Sequence, residues 1–105
     1  MSDILRDLAA TIEARKGSDP AASYTASLLA KGRSKCAEKF GEEAVEAIIS
    51  AAEGDREGLT GEAADVLYHL LVLLAASDVP LEDVLSTLAT RKGTSGHAEK
   101  AARKG

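Results

Sequence analysis

A chain of 105 residues with 45% hydrophobic content can bury one modest core but not two, so a single domain is expected. Its net charge of −4 and its three aromatic residues, one Phe and two Tyr, argue against a broad basic face for nucleic acid and against a base-stacking platform of the kind used on single strands. Cys36, the only cysteine, has no disulfide partner and suits a reducing compartment. The start of the chain carries Asp3 and Asp7 and lacks the apolar core of a signal peptide, and the apolar run 66–76 is too short to span a bilayer, so a soluble cytoplasmic protein is expected.

Ser2 or Asp3 is placed to cap a first helix on which Ile4, Leu5, Leu8, Ala9 and Ile12 recur at helical spacing, with Gly17 as its stop. Ser18-Asp19-Pro20 reads as a turn. A short helix follows over 23–29, capped by Ser23 and closed by Gly32. A longer one is expected over 34–53, with Ala37, Phe40, Ala44, Ala47, Ile48 and Ala51 on one stripe and Lys35, Lys39, Glu42, Glu43 and Glu46 on another. Gly54 and Asp55 mark a stop and a restart. The next helix covers 56–76, its first turns weakened by Gly58 and Gly61 by up to about 1 kcal/mol each relative to alanine. From Val66 onward it is apolar nearly all round, the pattern of a helix buried on every side, so a second copy of the chain is expected to cover it. Asp78-Val79-Pro80 breaks it, and a last helix carries Leu81, Val84, Leu85 and Leu88. The expected fold is therefore all-α, a bundle of four to five helices completed by homodimerisation. It occupies residues 1–92 and is followed by a mobile, basic, glycine-punctuated tail over 93–105.

Two acidic pairs carry the chemistry. Residues three apart share a helix face, so Glu43 neighbours Glu46 and Glu62 neighbours Asp65, while Glu42, four before Glu46, joins the first pair. Crowded like charges are destabilising unless a cation sits among them. All-oxygen donors favour a hard divalent ion, and Mg2+ in particular is held by a few carboxylates together with substrate phosphates, the setting of phosphoanhydride hydrolysis. A solvated acidic face has the same spacing. Lys35 and Lys39 share the face of the acidic cluster, either to meet phosphates or, for Lys39, to pair with Glu43. Lys31 and Arg33 flank Gly32, where they reach a phosphate or are simply solvated. His69, four residues after Asp65, is read as a core histidine bonded to that neighbour and not as a ligand, since hard cations prefer oxygen. Cys36 reads as a small buried residue. For Tyr24 two readings stay open: packing over a helix end, or stacking on a base.

The run Ser23-Tyr24-Thr25-Ala26-Ser27-Leu28-Leu29, continuing to Lys39-Phe40-Gly41-Glu42-Glu43-Ala44-Val45-Glu46, closely resembles the phosphoribosyl-ATP pyrophosphohydrolase family, and Ser95-Gly96-His97-Ala98-Glu99-Lys100-Ala101-Ala102-Arg103 resembles that family's C-terminal signature. The resemblance implies the all-α nucleoside triphosphate pyrophosphohydrolase superfamily that includes the MazG-like proteins. Its metal motif, Glu-x-x-Glu followed by Glu-x-x-Asp, falls on Glu43, Glu46, Glu62 and Asp65. It also implies the second step of histidine biosynthesis, in which phosphoribosyl-ATP and water give phosphoribosyl-AMP and pyrophosphate, with the cyclohydrolase of the next step expected as a separate protein. Cys36 stands where the family pattern has an aliphatic residue, and His97-Ala98 replaces an apolar-acidic pair.

In this reading Glu43 and Glu46 serve catalysis as Mg2+ ligands, and Glu42 positions or deprotonates the attacking water or holds an additional Mg2+. Lys35 and Lys39 neutralise phosphate charge, while Lys31, Arg33, Lys100 and Arg103 close over the substrate. Two rivals are a house-cleaning nucleoside triphosphate pyrophosphohydrolase with the same metal site, and a non-enzymatic helical interaction module.

Overall fold

In a computed structural model, residues 3–92 are described. They form five helices: α1 (Ile4–Ala14), α2 (Tyr24–Lys31), α3 (Arg33–Ala52), α4 (Arg56–Ala76) and α5 (Leu81–Lys92). No strand occurs among the described residues, so the chain is all-α. Ser2 and the tail with Lys100 and Arg103 lie outside them.

The first helix departs from expectation at its start. Asp3 stands at the N-cap, but at φ −86° and ψ 4° its backbone is not extended, and its side chain makes no capping bond. An extended backbone is what turns a cap side chain back toward the helix's free N–H groups; here the carboxylate instead lies 3.7 Å from the Arg6 guanidinium. Ser23 behaves as expected: with φ −148° and ψ 127° its hydroxyl accepts from the Ala26 N–H at 3.2 Å. Gly32, at φ +96°, ends α2 and begins α3. A side chain at that φ is strained, so one glycine serves as the whole hinge between two helices.

Helices α3 and α4 form the dominant pair, an antiparallel hairpin whose connection is only three residues long. Its corner is held by Asp55, whose carboxylate accepts from the Gly58 N–H at 2.9 Å. A Cβ at Gly58 would run into that carboxylate. The glycine that reads in the sequence as a weak point is thus the space the cap needs. Against this hairpin pack α1 and α2, and the core forms where four helices meet, from Ile12, Leu28, Cys36, Leu71 and Val72. Cys36 is buried as expected, and its thiol donates to the Leu28 carbonyl at 3.3 Å. The last helix is peripheral. It buries no residue fully and is tied to α1 by Arg6, which donates to Glu82 at 2.7 and 3.3 Å.

Within one chain α4 is not enclosed on every side, as the expectation of a second copy to cover it supposes. Only His69, Leu71 and Val72 are buried on it, and Leu67 is 46% exposed. On α3 the outer residues Val45, Ile48 and Ile49 are likewise exposed, Ile48 having been expected on the inward stripe. The reason is geometric, because one hairpin partner and two short helices leave part of a long helix without a neighbour. An 18-residue stretch within α4 has the length and mean hydropathy, 1.4, to cross a membrane, although the apolar run 66–76 alone does not.

Candidate metal centre

The α3–α4 hairpin brings the two acidic pairs together. One carboxylate oxygen from each of Glu43, Glu62 and Asp65 lies within 4.8 Å of the others. Residues on α4 separated by three supply two of these, and α3, running alongside, supplies the third. Glu46 sits one turn beyond Glu43, is exposed, and falls outside this closest group. It is near enough that its negative charge acts on Glu62.

Glu62 is the centre of the arrangement. Its Oε2 is closed off from solvent and makes no hydrogen bond. Burial pushes its carboxyl above the ordinary value of 4.5, and the charges of Glu46, Glu43 and Asp65 push it further. A shielded anionic oxygen without a donor, among three other carboxylates, is stable as an anion only when a cation reaches it. The donor set is all oxygen and suits a hard divalent ion. The residues present therefore fit a metal.

Several neighbours differ from the sequence-based expectations. Lys39 pairs with Glu42 at 3.2 Å and not with Glu43, since the side chain reaches the residue three positions on. Glu42 is thereby held by a lysine and does not join the acidic group. The Lys39 ammonium is held protonated chiefly by that bond and by the Glu42 charge, with smaller contributions from Tyr24 and Glu43. Lys35 pairs with Glu38 at 3.0 Å, a partner the sequence reading did not single out. Lys31 and Arg33 are exposed. Arg33 opens α3 about 15 Å along the helix from Glu43, and the structure does not bring these two to the carboxylates.

His69 is buried as expected, but it faces across to α3, with Nε2 4.0 Å from Glu43 Oε1. Asp65, four residues earlier on the same helix, is exposed, and the His69 Nδ1 is buried without a hydrogen-bond partner, so the expected bond to Asp65 is not made. Around His69 stand two aromatic rings: Tyr68 at 5.0 Å and Tyr24 at 6.3 Å between centroids, both edge-on. The hydroxyls of Thr25 and Tyr68 share a short hydrogen bond. Neither residue was picked out from the sequence, although Tyr68, three after Asp65, carried the same helical-spacing signal as the acidic pairs.

An open groove of about 390 Å³ lies elsewhere, between α1 and the junction of α4 with α5, and is lined by Arg6, Leu71, Leu74 and Pro80 among others.

The sequence model of the phosphoribosyl-ATP pyrophosphohydrolase family matches residues 5–92. Among curated relatives, the phosphoribosyl-ATP pyrophosphatase of Ruegeria pomeroyi is 72% identical over 100 residues, covering 95% of each chain. Proteins of the same name from Cereibacter sphaeroides and Jannaschia sp. are each 69% identical, covering 95% and 94% of this chain and 97% of their own.

Proposed function

The chain belongs to the phosphoribosyl-ATP pyrophosphohydrolase family, and from that premise we propose that it hydrolyses phosphoribosyl-ATP to phosphoribosyl-AMP and pyrophosphate, the second step of histidine biosynthesis, with Mg2+ held by Glu43, Glu46, Glu62 and Asp65. The observation that carries this reading is the shielded, unbonded Oε2 of Glu62 among the other carboxylates. When bound, the ion supplies positive charge to the phosphate oxygens as the anhydride opens.

The remaining work falls to the chain. Glu43, Glu62 and Asp65 already converge, and Glu46, one turn away, completes the set. Lys39 is engaged by Glu42, and an arriving phosphate competes for its ammonium. That exchange neutralises phosphate charge and releases Glu42 to orient a water molecule and accept its proton. The water oxygen bonds to phosphorus, the bridging P–O bond breaks, and pyrophosphate leaves with the electron pair. Lys35 trades Glu38 for phosphate in the same way. Lys31, Arg33, Lys100 and Arg103 are assigned, more weakly, to closing over the substrate.

The reading includes a homodimer, supported by the exposed Val45, Ile48, Ile49 and Leu67 on the two long helices. It also includes a cytoplasmic setting, since α4 carries Glu62 and Asp65 within its length and such charges are expensive in a bilayer, and a cyclohydrolase acting next as a separate protein. The test is an assay of the purified protein with phosphoribosyl-ATP and Mg2+, scoring both products. Wild type is expected to release pyrophosphate and Asp65→Ala to lose that activity while remaining helical. Turnover surviving in Asp65→Ala within a few fold would refute the ligand assignment, and a strong preference for ordinary deoxynucleoside triphosphates would refute the substrate.

A further inference from the structure

Tyr24 opens α2 with 57% of its surface exposed, in a chain that has only one other tyrosine, one phenylalanine and no tryptophan. Its inner side is already committed. The Tyr68 ring lies 6.5 Å away with the planes 21° apart, and His69 meets it edge-on. Tyr68 is itself fixed, by the Thr25 hydroxyl on one side and by the edge of His69 on the other. Thr25 is the next residue after Tyr24, so both tyrosines are anchored to the same turn of α2. The result is an exposed aromatic ring whose orientation is set from behind, which loses little freedom when a ligand covers it.

The ring's position gives that surface a use. One side chain, His69, separates it from Glu43 Oε1 at the acidic group. Lys39, a phosphate-side cation in the proposed reaction, stands about one turn before Glu43 on the same helix. A nucleotide whose phosphates sit at Lys39 and the carboxylates has its base within the reach of this ring. Bases stack on aromatic side chains without needing matched hydrogen bonds.

We infer that Tyr24 is the binding contact for the base: its outward ring stacks on the purine of the substrate, backed by Tyr68 and His69, while the phosphates run past His69 to Glu43, Glu62 and Asp65. The inference rests on the nucleotide hydrolase reading. It deepens that reading by assigning the base to a side chain that holds neither metal nor phosphate.

The test separates a stacking role from a structural one. Tyr24→Leu is expected to raise KM for phosphoribosyl-ATP by about ten- to a hundred-fold with kcat nearly unchanged, and Tyr24→Phe to keep wild-type KM within about two-fold. AMP inhibition should weaken in parallel with KM, whereas inhibition by ribose 5-phosphate should not move. An unchanged KM in Tyr24→Leu, or equal loss of both inhibitors, would overturn the assignment. The chain has no tryptophan, so Tyr24→Trp provides a second readout that does not depend on turnover or on the leucine variant folding. ATP should quench the fluorescence of this variant and inorganic tripolyphosphate should not. If wild type fails to hydrolyse phosphoribosyl-ATP, the reaction is wrong, but ATP quenching still decides the stacking; no quenching in the folded tryptophan variant refutes the base contact itself.

Discussion

His69 Nε2 on α4 lies 4.0 Å from Glu43 Oε1 on α3, which couples the core to the acidic group across the hairpin. His69 is 6% exposed, and its Nδ1 is buried without a hydrogen bond. On that geometry the side chain is expected to act as a spacer that keeps the Glu43 carboxylate turned toward Glu62 and Asp65. His69→Ala removes that spacer and leaves a void beneath Tyr24 and Tyr68. The expected result is a loss of roughly 2–4 kcal/mol in stability, as for other large-to-small core changes, and a higher Mg2+ concentration for half-maximal activity. His69→Gln, which fills more of the space, should recover most of the stability. Chemical denaturation and a Mg2+ titration of both variants check this.

Glu62 makes the stability of the metal-free protein depend on pH in a definite direction. Its folded-state pKa is raised above the ordinary 4.5 by burial first and by the neighbouring carboxylates next. The folded state therefore binds this proton more tightly than the unfolded chain does. The favourable contribution is fully present below about 4.5 and is lost as pH rises through the raised folded value, above which the buried charge is a net cost. In EDTA at pH 8, Glu62→Gln should accordingly melt a few degrees higher than wild type. In saturating Mg2+ the order should reverse, because wild type gains from binding and the variant does not. Thermal melts at pH 5 and pH 8, with EDTA and with Mg2+, test the sign in each corner.

How much of this was legible beforehand follows from which signals are local. The bounds of α4, the Ser23 cap and the stop at Gly32 were readable because each depends on a few adjacent residues. Glu43 with Glu46 and Glu62 with Asp65 were readable as two spacings, and a cation between the pairs followed from their crowded charge, while the closest group in the structure takes Glu43, Glu62 and Asp65 and leaves Glu46 one turn away. What escaped the sequence depends on the packing of one helix on another. The direction in which His69 points, toward Glu43 and not Asp65, is set by which flank of α4 faces α3. The pairing of Lys39 with Glu42 in place of Glu43 has a smaller reason, since three- and four-residue spacings are nearly degenerate on a helix surface. That one chain leaves much of α4 uncovered was legible, since the run from Val66 onward is apolar nearly all round and a short chain has few neighbours to offer it.

Gly58 and Gly61 offer a paired test of the hairpin corner. In an exposed helix interior, glycine to alanine is worth up to about 1 kcal/mol of stabilisation, and Gly61, where an added methyl would meet only open space, should show it. At Gly58 the added methyl displaces the Asp55 carboxylate that caps α4, and losing a cap costs about 0.5–2 kcal/mol. Gly58→Ala should therefore be neutral to destabilising by about 1 kcal/mol, although propensity alone predicts the opposite. Asp55→Ala combined with Gly58→Ala should be more stable than Asp55→Ala alone by up to about 1 kcal/mol, since with the cap already gone only the propensity gain is left. Urea denaturation of the four variants measures both effects.

The outer face of the hairpin bears on assembly. Ile48 is 66% exposed and Ile49 and Val45 about half exposed on α3, with Leu67 on α4, a concentration of apolar surface that isolated domains seldom leave in water. None of these residues belongs to the core of Ile12, Leu28, Cys36, Leu71 and Val72, so a charge placed there should spare the fold of the single chain. If two copies meet through this face, Ile48→Glu puts an unpaired charge at a desolvated contact, a change that costs several kcal/mol when no partner neutralises it. The variant should sediment as a monomer where wild type sediments as a dimer, retain its helical circular dichroism, and melt at a temperature that no longer rises with protein concentration. Substituting Leu88 on α5, which is also exposed but lies off the hairpin, should leave the assembly intact. A dimer that survived Ile48→Glu and dissociated with Leu88→Glu would move the interface to the α5 end of the molecule.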